Sequence, residues 1–218
     1  MESQIIIAKL LIIALVIYAT SLHELAHAYV ATLCGDPTPG RNGRLTWNPI
    51  PHLQPFQTAV LLPVFMFIAA DMLFILAQTP INPSKFRRPL RDHALVAAAG
   101  PATNFVIAGL LFAVLRIPGV YGFSADTGLP PWTAIVIPPA AFWILLMGFF
   151  NLLPLPPLDG YWIVRGLLPL EFRQQTDALA RSPFSMIVTL LVGSMVFRYV
   201  EGPIFQLYHF LLPIPHGF

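Results

Sequence analysis

Residues 5–33 read IIIAKLLIIALVIYATSLHELAHAYVATL, an apolar run whose last third carries ionisable side chains. About 20 apolar residues are enough for a helix to cross a bilayer, so this run predicts a transmembrane helix. It has no basic segment before it and no small-residue cleavage site after it, so we expect a retained helix rather than a signal peptide. Ionisable groups are costly at membrane depth, which makes His23, Glu24 and His27 candidates for a functional site.

The composition excludes a soluble globular protein. Of 218 residues, 56% are apolar and only 10% are charged, whereas soluble domains contain about 25% charged residues. The fold class is therefore predicted to be an all-α polytopic membrane protein. The net charge of +2 gives no sign of nucleic-acid binding, and none is expected. The single cysteine, Cys34, excludes an internal disulfide.

Four more apolar stretches follow the first, at about 56–77, 93–115, 132–153 and 184–200, and a shorter amphipathic piece covers 203–212. We expect about five to six transmembrane or re-entrant helices in a single domain over residues 1–218. Residues 56–77 contain Pro63 and lie between two basic connectors, which favours a re-entrant or shallow pair of half-helices over a full span. The exact helix count stays open at this point.

The connectors orient the chain. Residues 35–55 contain five prolines and cannot form a long helix, but residues 43–47 predict a short strand-like, membrane-associated loop. Basic residues concentrate in 35–55, 78–92 and 159–182, whereas 118–131 is nearly uncharged. Cytoplasmic loops are enriched in Lys and Arg, so the three basic connectors are predicted to be cytoplasmic.

The sequence His23-Glu24-Leu25-Ala26-His27 is an H-E-x-x-H motif. Positions i and i+4 share one face of a helix, so both imidazoles can bind one metal ion. Two histidines and one carboxylate leave a fourth zinc position open, which is typical of catalytic zinc. Glu24 is then predicted to act as the general base that takes a proton from the attacking water.

The third ligand must come from elsewhere, and Asp159 is the strongest candidate. It follows the proline-rich residues 151–158, which break the fourth apolar stretch and place a carboxylate near membrane depth. On its own, however, Asp159-Gly160 is more simply explained as an ordinary turn at the membrane surface.

Taken together, the motifs resemble one family. H-E-L-A-H at 23–27 and N-L-L-P-L-P-P-L-D-G at 151–160 are similar to the two zinc-binding motifs of the site-2 proteases, which are intramembrane zinc metalloproteases. A-G-P-A-T-N-F at 99–105 and G-R-L-T-W-N-P at 43–49 resemble two further elements of that family, the second from its compact bacterial members. The four elements occur in the family's order and span most of the chain.

The resemblance implies a zinc endopeptidase that cuts transmembrane protein or peptide substrates within the lipid bilayer. It implies zinc (Zn2+) on His23, His27 and Asp159, with Glu24 as base. Asn104 would hydrogen-bond substrate backbone or a neighbouring loop, and Asn151 would support the metal-bearing helix break. We expect a compact member without a PDZ or nucleotide-sensing domain. We also expect a bacterial inner-membrane location with the active site toward the cytoplasm.

Two other functions use the same residues. A zinc transporter or other metal-binding membrane protein would need the ligands without Glu24, but transporters usually show repeated halves and no repeat is visible. An inactive relative would serve as a membrane scaffold, but it would have no need to keep an intact H-E-x-x-H motif. His52, in the 35–55 connector, could approach the active site or could be a loop histidine. The sequence does not indicate the substrate or the oligomeric state.

Overall fold

The computed structural model describes residues 2–53, 77, 79–117, 120, 132–182 and 184–212. These residues form helices and the connections between them. In chain order the α-helices are α1 (Glu2–Leu33), α2 (Thr38–Arg41), α3 (Pro89–Leu115), α4 (Trp132–Asn151), α5 (Asp159–Val164), α6 (Leu170–Arg181) and α7 (Ser185–Leu211). Short 3₁₀ turns lie at Ile50–His52, Pro83–Lys85 and Arg165–Leu167.

Three of the described helices are long and apolar enough to cross a membrane. They are Gln4–Leu33, Pro89–Leu115 and Trp132–Asn151, with 30, 27 and 20 residues. These helices confirm the first, third and fourth predicted stretches and the all-helical class of the described residues. The second stretch, 56–77, lies outside the described residues except for Ala77, and with it the question of whether it spans or re-enters.

Helices α1, α3 and α4 pack against one another and form the main core. Alanines in the shared interface are almost completely buried, including Ala19 on α1, Ala108 on α3 and Ala140 on α4. In lipid there is no hydrophobic driving force between helices, so close packing must hold them together. Small residues allow that packing because they let helix backbones approach closely. Large apolar side chains such as Val106 and Leu110 point outward, with 61% of each exposed, as a lipid-facing surface requires.

Local sequence explains where α3 begins. Proline is favoured at the first helical position, and Pro89 occupies it. The Asp92 carboxylate accepts a hydrogen bond from the Arg88 backbone N–H at 2.8 Å, which satisfies a free donor at the helix start. The helix therefore starts slightly before the predicted apolar stretch, so that its first turns reach the level of the α1 histidines.

The prediction of a strand-like segment at residues 43–47 is wrong. The described residues there form a turn followed by bends. The backbone N–H groups of Gly43 and Arg44 donate to Gly40 and Pro39 of the preceding helical turn, so they are not available to a strand partner. The other part of the prediction, that residues 35–55 form no long helix, is confirmed.

The carboxyl-terminal third is more helical than the sequence indicated. The predicted basic connector 159–182 contains α5 and α6, and α7 covers both the fifth apolar stretch and the closing amphipathic piece as one helix. Pro203 lies inside α7 without ending it.

Candidate metal centre

The two histidines of the H-E-x-x-H motif lie on one face of α1, as their spacing predicts. Their Nε2 atoms are 2.9 Å apart, and their rings meet edge to face with centroids 4.6 Å apart. His23, Glu24 and His27 are each only 6% exposed. Burial of three ionisable groups in an apolar helix is costly, so a compensating partner must be close.

Asp159 is that partner. It is the first residue of α5, and its Oδ2 atom lies 3.3 Å from His23 Nε2 and 3.4 Å from His27 Nε2. The structure therefore brings together two motifs that lie far apart in the sequence.

The backbone of α3 orients His27. The His27 Nδ1 atom lies 2.7 Å from the Val96 carbonyl oxygen. A carbonyl oxygen can only accept, so Nδ1 donates this hydrogen bond and Nε2 is the ring nitrogen left to bind a metal ion. A metal-binding histidine typically donates its other N–H in this way. Sequence reasoning missed this contact, because nothing in the local pattern links Val96 to His27.

Gly100 explains how α3 can approach the imidazoles so closely. A Cβ atom at this position would lie 2.4 Å from His27 Nε2 and 2.5 Å from His23 Nε2. No side chain fits there, so glycine is required by space. The AGP segment at 99–101 was the sequence signal of this close contact, although its physical reason was not visible.

A second glycine places Asp159. A Cβ atom at Gly160 would lie 2.1 Å from the Leu152 carbonyl oxygen, so only glycine allows α5 to begin against the end of α4. The chain between them turns through residues 152–158, where the Leu155 and Leu158 N–H groups donate to Leu153 and Leu155. The Asp-Gly pair is therefore a close-packed junction that directs the carboxylate inward.

The residues present fit a zinc ion. Two ligands of a tetrahedral zinc ion, each about 2.0–2.1 Å from the metal, lie about 3.3–3.4 Å apart, which is the separation found between Asp159 and each histidine. The Asp159 Oδ2 and His23 Nδ1 atoms are buried without a hydrogen-bond partner among the described residues. His23, His27 and Asp159 thus form a group able to hold a metal ion, and their nitrogen and oxygen donors suit zinc.

The three supporting residues differ in their surroundings. Asn104 lies one turn after Gly100 and is 2% exposed, and its Nδ2 has no partner among the described residues. The Asn151 Nδ2 donates to the Met147 carbonyl at 3.0 Å at the end of α4. His52 is fully buried, and its Nε2 atom donates to the Thr46 carbonyl at 3.0 Å within its own loop.

Comparison with known proteins gives matches to zinc metalloproteases. The chain is 38% identical over 189 residues to a Bacillus subtilis protein named "Putative zinc metalloprotease YwhC". The aligned region covers 84% of this chain and 80% of that protein. It is 27% identical over 205 residues to "Putative zinc metalloprotease Rip2" of Mycolicibacterium smegmatis, covering 92% of this chain and 74% of the relative. The Rip2 protein of Mycobacterium tuberculosis is 31% identical over 172 residues.

No family model and no solved structure matches the chain. The relatives nevertheless agree with the chemistry of the site, because both names specify zinc, and His23, His27 and Asp159 supply zinc-type ligands. With 38% identity over most of both sequences, the chain belongs to the site-2 protease-like family of zinc metalloproteases represented by YwhC and Rip2.

Proposed function

We propose that this chain is a zinc-dependent intramembrane endopeptidase that hydrolyses peptide bonds in or near transmembrane helices of membrane-protein substrates. The observation that carries the proposal is that His23 and His27, buried on a helix apolar enough to span a bilayer, meet Asp159 in one group able to hold a metal ion. A hydrolytic site so enclosed suits a substrate that is itself in the membrane. The partners are accordingly a transmembrane protein or peptide and the surrounding lipid.

Each site residue has a role in the proposed reaction. His23, His27 and Asp159 hold the metal, which when bound supplies a Lewis acid that polarises a carbonyl and makes water more acidic. Glu24, buried beside His23, accepts the proton of the attacking water and delivers it to the leaving amine. Val96 keeps the His27 ring oriented through its carbonyl.

Asn104 is the best candidate for holding substrate. Its buried amide has an Nδ2 without a partner among the described residues, and an unsatisfied buried donor is costly unless a ligand completes it. It would donate to a backbone carbonyl of an unwound substrate helix. Asn151 supports the end of α4, next to the break that leads to Asp159. His52 supports the 46–52 loop through its hydrogen bond to the Thr46 carbonyl.

The ends of the helices favour a cytoplasmic site. The carboxyl-terminal part of α1, the amino-terminal part of α3 and the carboxyl-terminal end of α4 meet at the metal centre. Most Lys and Arg residues lie in the connectors at these ends, and positive residues favour the cytoplasmic side. We place the chain in a bacterial inner membrane as a single domain. Its five to six spanning or re-entrant helices would include α7 and residues 56–77.

The test is zinc content together with cleavage of a model transmembrane substrate by purified protein. We expect Glu24→Gln to keep zinc and to lose cleavage by about 100–10,000-fold, the usual contribution of general acid–base catalysis. A metal carrier or scaffold would bind zinc without cleaving, and its properties would not change in Glu24→Gln. Wild-type levels of proteolysis in that variant would remove Glu24 from the mechanism.

A further inference from the structure

A short segment that follows the second apolar stretch runs along α1. We call residues 79–82 the strap. Its first residue, Thr79, is 6% exposed, and its hydroxyl donates to the Glu24 backbone carbonyl at 3.1 Å. This contact joins residues that are 55 positions apart. The donor therefore lies on the same helical turn as the proposed general base.

The other end of the strap is fixed by Asp36. This carboxylate is completely buried, and its Oδ2 accepts the Asn82 backbone N–H at 2.6 Å, while its Oδ1 accepts the Thr38 N–H at 2.9 Å. A buried charged acceptor that satisfies two backbone donors gives a strong, specific anchor. Asp36 thus ties the strap to the chain that leaves α1.

Further contacts hold the strap and the following residues along α1. Ile81 packs against a second apolar cluster, formed by the buried Ala31, Phe86 and Val96, and so do Val30 and Cys34 of the α1 end. The Arg87 N–H donates to the Cys34 carbonyl at 3.2 Å. The segment is therefore docked from the level of Glu24 to the end of the helix. Since Val96 also orients His27, one packed layer contacts both the base and a proposed ligand.

We propose that Thr79 is a positioning residue for Glu24, and that Asp36 holds the strap that presents it. This inference rests on the proposed function. The Glu24 carbonyl lies in the backbone of α1. A hydrogen bond to it from the Thr79 hydroxyl, outside the helix, fixes the rotation of that helical turn. The turn in turn sets where the Glu24 carboxylate lies relative to the metal ligands. General-base catalysis requires this position to be held closely, because small misplacements of catalytic groups are costly.

The experiment compares Thr79→Val, which removes the hydroxyl and keeps the shape, with Thr79→Ser, which keeps the donor. Full-length protein in lipid vesicles is assayed on a model transmembrane peptide, with kcat, KM and bound zinc measured separately. We expect Thr79→Val to lower kcat about tenfold, which corresponds to about 1.4 kcal/mol. KM and zinc affinity should not change, and Thr79→Ser should restore kcat.

A readout without catalysis is amide hydrogen exchange of the metal-free protein. Thr79→Val should speed exchange in peptides that cover residues 21–30, and Thr79→Ser should not. Thr32→Val is the matched control, because the exposed Thr32 also donates its hydroxyl to a carbonyl of α1, that of Ala28, and not to that of Glu24. The control should behave as wild type in both measurements.

Three results would overturn the inference in distinguishable ways. Wild-type kcat in Thr79→Val would show that the hydroxyl does not position Glu24, and would leave the proposed function intact. Loss of zinc or of thermal stability together with kcat in Thr79→Val would show a general structural role instead. Absence of cleavage by the wild-type protein would reject the proposed function itself, and the role of Thr79 with it.

Discussion

Two carboxylates in neighbouring helices have the same burial but opposite surroundings. Asp159 on α5 is 16% exposed and Asp177 on α6 is 15% exposed. Asp177 accepts hydrogen bonds from the Arg165 guanidinium and the Tyr161 hydroxyl. Asp159 faces two imidazole nitrogens, and its Oδ2 accepts no hydrogen bond within the described residues.

The difference separates a structural ion pair from a candidate metal ligand. The cluster of Tyr161, Arg165 and Asp177 carries its own permanent cation, and the bond to Asp177 raises the pKa of Arg165. The cluster is therefore complete without any ligand. The metal centre has a carboxylate and two nitrogen donors but no permanent cation. Burial alone thus does not identify a site, whereas converging donors without a cation do.

The largest expected effect comes from removing each carboxylate in turn. Asp159→Ala should lower zinc affinity by more than the ~10–100-fold that the loss of a merely supporting group costs, because a ligand itself is removed. Asp177→Ala should leave zinc affinity unchanged, because Asp177 is bonded to Arg165 and Tyr161. Competition with a zinc chelator measures both. Equal zinc affinity in the two variants would show that Asp159 is no more a metal ligand than Asp177 is.

The next effect tests the space around the metal centre without changing a ligand. Gly100→Ala adds a Cβ atom 2.4 Å from His27 Nε2, so α3 or the imidazoles must shift. Zinc affinity should fall about 10–100-fold, as for loss of a supporting group. Gly109→Ala in the same helix is the control, since its Cβ atom would meet nothing within 4 Å. A Gly100→Ala protein that binds zinc as tightly as wild type would contradict the close packing of α3 against the two imidazoles.

These two predictions show what the sequence could and could not supply. The spacing of His23 and His27 was readable because helical periodicity is local. The candidacy of Asp159 came from the proline-rich break before it, and its ligand role from the family resemblance. The Val96 contact with His27 and the Thr79 contact with Glu24 depend on tertiary packing across many residues. No local pattern encodes them.

The departures from the sequence pattern have the same physical origin. Residues 43–47 alternate in a strand-like way, but the backbone N–H groups of Gly43 and Arg44 donate to the preceding turn. Residues 159–182 were identified as a basic connector from Arg165, Arg173 and Arg181, and that charge pattern did not indicate the helices within it. In the structure Arg165 is paired with Asp177 and Arg173 donates to the Leu168 carbonyl, so helices α5 and α6 form around these charges.

The comparison also predicts where stability resides in the metal-free protein. Asp177→Ala leaves Arg165 without its partner, and hydrogen bonds to charged groups contribute about 1.5–3 kcal/mol each. Asp159→Ala should cost less free energy of unfolding, because no hydrogen bond to its Oδ2 is lost. Thermal unfolding of both variants in chelator-treated samples measures the difference. A larger loss of unfolding free energy in Asp159→Ala than in Asp177→Ala would show that Asp159, not Asp177, is the structural carboxylate.

The smallest effect concerns pH. Burial, together with the hydrogen bond to Asp177, raises the pKa of the Tyr161 hydroxyl above its ordinary value. A raised folded-state pKa means that this contribution to stability is complete below about pH 10, the ordinary value for tyrosine. It is lost as the pH rises through the folded-state value. Tyr161→Phe should remove that alkaline loss, which stability measurements between pH 9 and 11 would detect by comparison with wild type.

The most direct test of the metal centre is zinc-edge X-ray absorption of the purified wild-type protein and of Asp159→Ala. We predict one zinc per chain with nitrogen and oxygen ligands at about 2.0–2.1 Å, imidazole scattering from two histidines and no sulfur. In Asp159→Ala the bound zinc should be lost or its oxygen coordination changed. A sulfur ligand at about 2.3 Å, or an identical spectrum and zinc content in Asp159→Ala, would contradict a site formed by His23, His27 and Asp159.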